Sequence, residues 1–337
     1  MRKGAAMRQV WIARKGGPEV LEVREAPEPQ PKPGEVRIRV RAAGVNFADV
    51  MAREGLYADA PKLPCVMGYE VAGEIDLPAA RAGEKVIATC KFGGQSEVVC
   101  VDERMVLPLP PGLSFAEGAS IPVVWLTAWH MLVELANVRR GQTVLIHSAA
   151  GGVGTAAVQI CKRLGARTIG TASPGKHDRL RALGLDHAVD YRNDDFVKET
   201  LGLTKGRGVD VALDPLGEFK RSFRCLAPTG KLMMYGASGV LPGESFNPLA
   251  IVRALAKMPF FHPLKLLPDN KGVFGINMGH LWGETELLGG ELREILKGFA
   301  AGDFKAIVDL EVPFAEARKS HERLQSRQSF GKVVLVP

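Results

Sequence analysis

No run of about 18 uncharged apolar residues occurs anywhere in the 337-residue chain, so the sequence offers no bilayer-spanning segment. The N-terminus, Met1-Arg2-Lys3-Gly4-Ala5-Ala6-Met7, is basic but lacks the apolar stretch of a secretory signal. Cysteine is scarce and widely spaced. The five residues, Cys65, Cys90, Cys100, Cys161 and Cys225, form no C-x-x-C pair, which excludes a structural zinc ribbon and a disulfide framework. Reduced thiols in a cytoplasmic protein are the expectation. The sequence also lacks a stripe of one charge. Its 44 Lys and Arg against 37 Asp and Glu give a net +7 that is spread along the chain and mixed with acids. A nucleic-acid-binding face would concentrate that charge; a mildly basic surface suits small anionic molecules instead. There is no internal repeat and no low-complexity tract.

What is present is ordinary globular material, 46% hydrophobic and 24% charged. The length is roughly twice a typical domain of ~150 residues, so two domains are expected. The first stretch, to about residue 121, reads as strands. Val36, Ile38 and Val40 alternate with Arg37, Arg39 and Arg41, the period of a half-buried strand. Short apolar runs at 86–88 and 98–101 add further strands, and the whole predicts a small, mostly antiparallel barrel. From about residue 122 the rhythm changes. Apolar runs at 143–147, 166–170, 187–190, 208–214, 231–235 and 272–276 alternate with amphipathic segments, the last interval apart. Strands alternating with helices predict βαβ units and a parallel sheet, and six strands match a full dinucleotide-binding sheet. A helix over 286–300 and a final strand over 332–336 close the chain.

The sharpest motif is Val144-Leu145-Ile146-His147-Ser148-Ala149-Ala150-Gly151-Gly152-Val153-Gly154, followed by a helix over 155–164. In the G-x-G-x-x-G register the key positions are Ala149, Gly151 and Gly154. Gly151 lets the backbone approach a pyrophosphate, and Gly154 lets the helix pack closely on the strand. Ala150, Gly151, Gly152, Val153 and Gly154 are therefore candidate phosphate ligands at a helix N-terminus. An NAD site places an acid after the second strand. No acid occurs between Thr171 and His177; Ser173 and Lys176 stand there instead, suited to a 2′-phosphate and hence to NADPH. Ser173 before Pro174 is equally a helix cap. Tyr191, after the third strand, either lies beside the adenosine or packs.

Several segments together carry a family resemblance: residues 149–154 with Gln159, Asn46-Phe47-Ala48-Asp49, Gly55-Leu56-Tyr57, Asp214-Pro215-Leu216-Gly217 and Gly331-Lys332-Val333-Val334-Leu335. They resemble the medium-chain dehydrogenase/reductase superfamily, in its branch of zinc-independent quinone oxidoreductases and enoyl reductases. Residues 170–177 and the segment 247–279 look most like the vesicle amine transport protein homologues. The resemblance implies an α/β fold class: a Rossmann doubly wound parallel sheet over 122–278, and a barrel-like, GroES-like catalytic domain split between 1–121 and 279–337. It also implies a cofactor in the cleft and a homodimer.

Zinc-dependent members carry an early Cys, a Gly-His-Glu and a later Cys. Here Asn46 and Gly68-Tyr69-Glu70 stand in the first two places, and the four-cysteine structural lobe is absent, so no metal is expected. Without zinc, donors near the substrate carbonyl must stabilise developing charge. The resemblance places Asn46 and Tyr57 near the nicotinamide. Asn46 is the favoured oxyanion donor and Tyr57 a proton donor; the alternatives are a turn residue after Gly44 and a rim residue. The same resemblance puts Thr127 against the nicotinamide, and Phe274, Gly275 and Ile276 along it. Lys332 either reaches a cofactor phosphate or is a solvated edge charge. Asp49 orients neighbours or caps a helix. His147 reads as a satisfied core or cofactor-proximal residue.

Two functions follow as expectations. One is an NADPH-dependent reductase of quinones or α,β-unsaturated carbonyls. The other is a cofactor-binding protein with little turnover that works through membranes or partners. The acid-free segment 249–267, with Arg253, Lys257, His262 and Lys265, invites the second, although Pro259, Pro263 and Pro268 interrupt any long membrane-lying helix.

Overall fold

The computed structural model describes residues 5–236 and 261–337. Packing divides the chain into two compact units, Met1–Leu126 with Met278–Pro337, and Thr127–Asn277. The strands of the first half are β1 (Ala6–Ile12), β2 (Leu21–Pro27), β3 (Glu35–Val45), β4 (Cys65–Val66), β5 (Glu70–Leu77), β6 (Lys85–Thr89), β7 (Val98–Asp102) and β8 (Val106–Pro108). They are followed by β9 (Thr143–Ile146), β10 (Arg167–Ala172), β11 (His187–Asp190), β12 (Val209–Asp214), β13 (Leu226–Met234) and β14 (Gly272–Gly275). The chain ends with β15 (Val308–Pro313) and β16 (Lys332–Val336).

The first unit is built on a seven-stranded sheet in the order β15-β16-β3-β5-β6-β8, with β7 also on β3, and a three-stranded sheet β2-β1-β4. All these pairings are antiparallel except β15 with β16. The alternation in β3 explains the layer. Val36, Ile38 and Val40 enter a core with Val71, Ile75, Val86 and Val99. On the other face Arg37 pairs with Asp76 at 2.8 Å, Arg39 with Glu28 at 3.0 Å and Arg41 with Glu74 at 2.9 Å. Register then places three distant residues side by side. Val333 opposes Val45, so Lys332 falls opposite Asn46; Ala43 opposes Val71, so Glu70 falls opposite Gly44.

The second unit holds a six-stranded sheet in the order β11-β10-β9-β12-β13-β14, parallel throughout. This is the doubly wound order, and its direction reverses between β9 and β12, where such sheets take their ligands. β9 is buried along its whole length, as a central parallel strand must be. Its core joins Leu145, Ile169, Val189, Val209, Ala212 and Leu232.

Several boundaries differ from expectation. The helix after the glycine-rich turn is Gly152–Leu164, so it begins three residues earlier than the apolar pattern suggested and takes the glycines into its first turn. β13 starts at Leu226 rather than 231, because its ladder with β12 shifts register after Val209. β10 runs on to Ala172. Most of the basic segment 249–267 lies outside the described residues, as does Asn247-Pro248. Its described end forms a single helical turn, Pro263–Leu266, with Leu264 and Leu267 exposed. No described helix is long and apolar enough to cross a membrane. All five cysteines are free thiols.

Candidate active site

In the second unit β9 ends in a turn in which Ser148 takes a left-handed conformation (φ 52°). Ala149 N–H donates to the Thr171 carbonyl at 3.1 Å, and Gly151 N–H to the Ser148 carbonyl at 2.9 Å. Gly151 is the helix N-cap, so the N–H groups of Gly152, Val153 and Gly154 open the helix without helical acceptors. The two key glycines differ in kind. A Cβ on Gly154 would lie 2.5 Å from the Ala149 carbonyl oxygen and closer still to that of Ser148, so only glycine fits. A Cβ on Gly151 would meet only Ser148 atoms, at 3.3 Å. Gly151 is thus spared a side chain by something other than packing, which fits an approaching phosphate.

At the end of the neighbouring strand β10, Ser173 and Lys176 are half-buried around a one-turn helix, Pro174–Lys176. Tyr191 follows β11 and is exposed. These residues share the carboxyl edge of three adjacent strands, and no carboxylate stands within 171–177. Phe274, Gly275 and Ile276 lie at the carboxyl end of β14, on the far edge of the same sheet; Ile276 N–H donates to the Met234 carbonyl at 2.8 Å. Thr127 is buried in the helix Pro122–Trp129.

A buried relay ties this edge together. Ser222 Oγ donates to Asp214 Oδ2 at 2.6 Å, so its lone pair accepts from His147 Nε2 at 3.1 Å. His147 Nδ1 then accepts from Thr171 Oγ1 at 3.1 Å. Burial pushes the His147 imidazole below its ordinary value, opposed by the nearby Asp214 charge. A neutral ring protonated on Nε2 is what this chain of donors requires. Asp214 Oδ1 closes it by accepting Leu216 N–H at 2.8 Å and Gly217 N–H at 3.1 Å. The relay fixes the ends of β9, β10 and β12 under the glycine-rich turn. Sequence reading found His147 and the Asp-Pro-Leu-Gly turn but not Ser222, which joins them.

In the first unit, Asn46 precedes the helix Phe47–Glu54. Its backbone N–H donates to Asp49 Oδ2 at 2.7 Å, so Asp49 orients the turn and caps the helix. Asp49 is fully buried, and that burial raises its carboxyl to about 7. The Asn46 carboxamide donates from Nδ2 to Glu70 Oε1 at 3.0 Å, and its Oδ1 accepts from Lys332 Nζ at 2.5 Å. Lys332 Nζ also pairs with Glu70 Oε1 at 2.5 Å, and Glu70 Oε2 accepts the Val123 N–H at 2.7 Å. Gly44 makes room for this: a Cβ there would lie 2.6 Å from the Glu70 carboxyl carbon. Lys332 is 3% exposed and turned inward onto Asn46 and Glu70, which is not the setting of a solvated edge charge. Tyr57 is half-buried against the cluster that contains Tyr69, and burial raises its phenol above the ordinary value.

Comparison with known proteins agrees with this architecture. The alcohol dehydrogenase GroES-like domain matches residues 32–111, and the family described as zinc-binding dehydrogenase matches residues 183–335. The human synaptic vesicle membrane protein VAT-1 homolog is 36% identical over 94% of this chain and 82% of its own. The chain belongs to the medium-chain dehydrogenase/reductase superfamily, in its VAT-1-like branch. That places it among oxidoreductases at the level of the family. The crystal structure of the human VAT-1 homolog-like protein superposes with a TM-score of 0.85 at 31% identity, covering 98% of both chains. The Escherichia coli quinone oxidoreductase complexed with NADPH gives 0.84 at 28% identity, covering 99% of this chain and all of its own. The zebrafish VAT-1 homolog is 36% identical and longer; the chain spans 63% of it.

Although one matched family of this superfamily is described as zinc-binding, the donor set here does not fit a catalytic zinc. Zinc takes thiolate, imidazole or carboxylate ligands. Asn46 offers an amide, and Tyr69 a phenol whose ring stacks on Trp282 with centroids 6.2 Å apart. The Glu70 carboxylate already pairs with an internal ammonium. Among the described residues, no group of three His, Cys, Asp or Glu side chains is placed to hold a metal.

Proposed function

We propose that this protein is an NADPH-dependent, zinc-independent reductase acting on quinones or α,β-unsaturated carbonyls. The observation that carries the reading is the half-buried Asn46 carboxamide. It is fixed on two sides by Glu70 and Lys332, and it keeps one N–H with no partner among the described residues. NADPH, when bound, supplies a hydride. The glycine-rich turn and helix N-terminus would hold its pyrophosphate, and Ser173 with Lys176 its 2′-phosphate. Asn46 donates its remaining N–H to the substrate oxygen on which negative charge develops, a role in which a preorganised donor is most effective. Tyr57, kept protonated by burial, donates the proton that completes reduction and regains it from solvent. The relative from Escherichia coli, a quinone oxidoreductase complexed with NADPH, supports both the cofactor and the substrate class.

The test is NADPH oxidation followed by its absorbance, with 1,4-naphthoquinone, 9,10-phenanthrenequinone and trans-2-hexenal as substrates. Turnover with at least one of them is expected, abolished when NADPH is omitted. NADPH binding with no oxidation by any of the three would favour the second reading, a cofactor-binding protein working through membranes or partners.

A further inference from the structure

We propose that Lys332 is a positioning residue for Asn46. Together with Glu70 it locks the carboxamide in one orientation and leaves a single polarised N–H without a partner among the described residues. The inference rests on the reading of Asn46 as the oxyanion donor. Three bonds close a ring: Lys332 Nζ to Asn46 Oδ1 at 2.5 Å, Asn46 Nδ2 to Glu70 Oε1 at 3.0 Å, and Lys332 Nζ to Glu70 Oε1 at 2.5 Å. An amide has two ends of different character, and only the network around it decides which faces where. Here the choice is forced. A lysine ammonium only donates, so it must face Oδ1; an ionised carboxylate only accepts, so it must face Nδ2. One hydrogen of Nδ2 remains.

The ring also changes the strength of that hydrogen. A cation on Oδ1 draws electrons through the conjugated amide, and neighbouring hydrogen bonds polarise one another in a low dielectric. Glu70 and Lys332 are 0% and 4% exposed at their side chains, so water screens neither charge. The fold reserves space for the arrangement: Gly44 clears room for Glu70, and the β3–β16 register delivers Lys332 from the far end of the chain. Lys332 therefore supplies from within the chain the positive charge behind the oxyanion donor, acting through Asn46.

The experiment compares Lys332→Met, Lys332→Met/Glu70→Gln and Asn46→Ala, with NADPH and 1,4-naphthoquinone as probes. Removing the lysine alone leaves a buried carboxylate without its cation and is expected to lower stability as well as rate. The double variant removes both charges and keeps the shape, so its thermal midpoint should return close to wild type. Its kcat should stay down about tenfold or more, with KM for the quinone and NADPH affinity within about twofold of wild type. A double variant that regains both midpoint and kcat overturns the proposal and makes the ring merely structural. If Asn46→Ala retains full kcat, the reading of Asn46 fails instead. A second readout needs no turnover: the side-chain ¹H–¹⁵N signals of Asn46, identified by their loss in Asn46→Asp. They should lie downfield in the wild type and move upfield in the double variant. Unchanged signals overturn the proposal even if no substrate is turned over.

Discussion

Asn46 has three hydrogen-bonding features on its side chain, and the protein uses two of them internally. What remains is a neutral donor that stays a donor across the physiological pH range. Asn46→Ala is expected to lower kcat about 10²-fold, the typical cost of one oxyanion donor, while leaving NADPH affinity unchanged. Steady-state kinetics alongside a fluorescence titration check it, and an unaltered kcat removes Asn46 from the mechanism. Asn46 was legible in the sequence because it stands where relatives of the superfamily carry a metal ligand. Lys332 was singled out too, but its pairing with Asn46 was not legible. The two are 286 positions apart, and only the β3–β16 register joins them. Asp49 makes a separate prediction. Burial raises its carboxyl from 3.8 to about 7, so the folded state holds a proton that the unfolded chain releases. The stability this contributes is full below about pH 4 and is lost as pH rises through about 7. Asp49→Asn keeps the acceptor for the Asn46 N–H and removes the titration. Its thermal midpoint relative to wild type should therefore climb between pH 5 and pH 8. Until the carboxyl ionises, the wild type loses ~1.4 kcal/mol for each rise of one in pH. A difference that stays flat with pH would contradict a raised Asp49.

At the scale of the element, the glycine-rich turn separates two roles that sequence alone merges. Gly154 is required by packing, whereas the role proposed for Gly151 is access. Gly154→Ala would press a methyl group against two carbonyl oxygens and should cost about 1–3 kcal/mol or more, lowering the thermal midpoint and NADPH affinity together. Gly151→Ala meets only Ser148 at 3.3 Å, so the midpoint should barely move while NADPH affinity falls. Paired melting curves and titrations distinguish them; a Gly151→Ala protein with normal affinity would mean that no phosphate approaches there. The six parallel strands were visible as apolar runs because both faces of such a sheet are covered. The start of the helix at Gly152 was not, since glycine carries no helical pattern of its own, and the N–H groups there are ordered by the turn before them. The bulged start of β13 was hidden for a similar reason: strand pairing set it, not composition.

For the whole molecule, composition and pattern were enough to separate a strand-rich unit from an alternating one. They did not show that the second unit's edge is braced by Thr171, His147, Ser222 and Asp214, because those residues come from four separate segments. The proposed function rests on that edge accepting a phosphorylated dinucleotide. Ser173 and Lys176 follow the strand beside the glycine-rich turn, where a carboxylate would have favoured the unphosphorylated cofactor. A lysine meeting a phosphate makes a charge-assisted bond of about 1.5–3 kcal/mol, or roughly ten- to a hundredfold in affinity, and less at high salt. The decisive measurement is a titration of NADPH and NADH, at one fixed ionic strength, into the wild type and Lys176→Ala. The wild type should bind NADPH tighter by roughly ten- to a hundredfold, and the variant should lose that preference by weakening NADPH alone. Equal affinity of the wild type for the two cofactors would contradict the account.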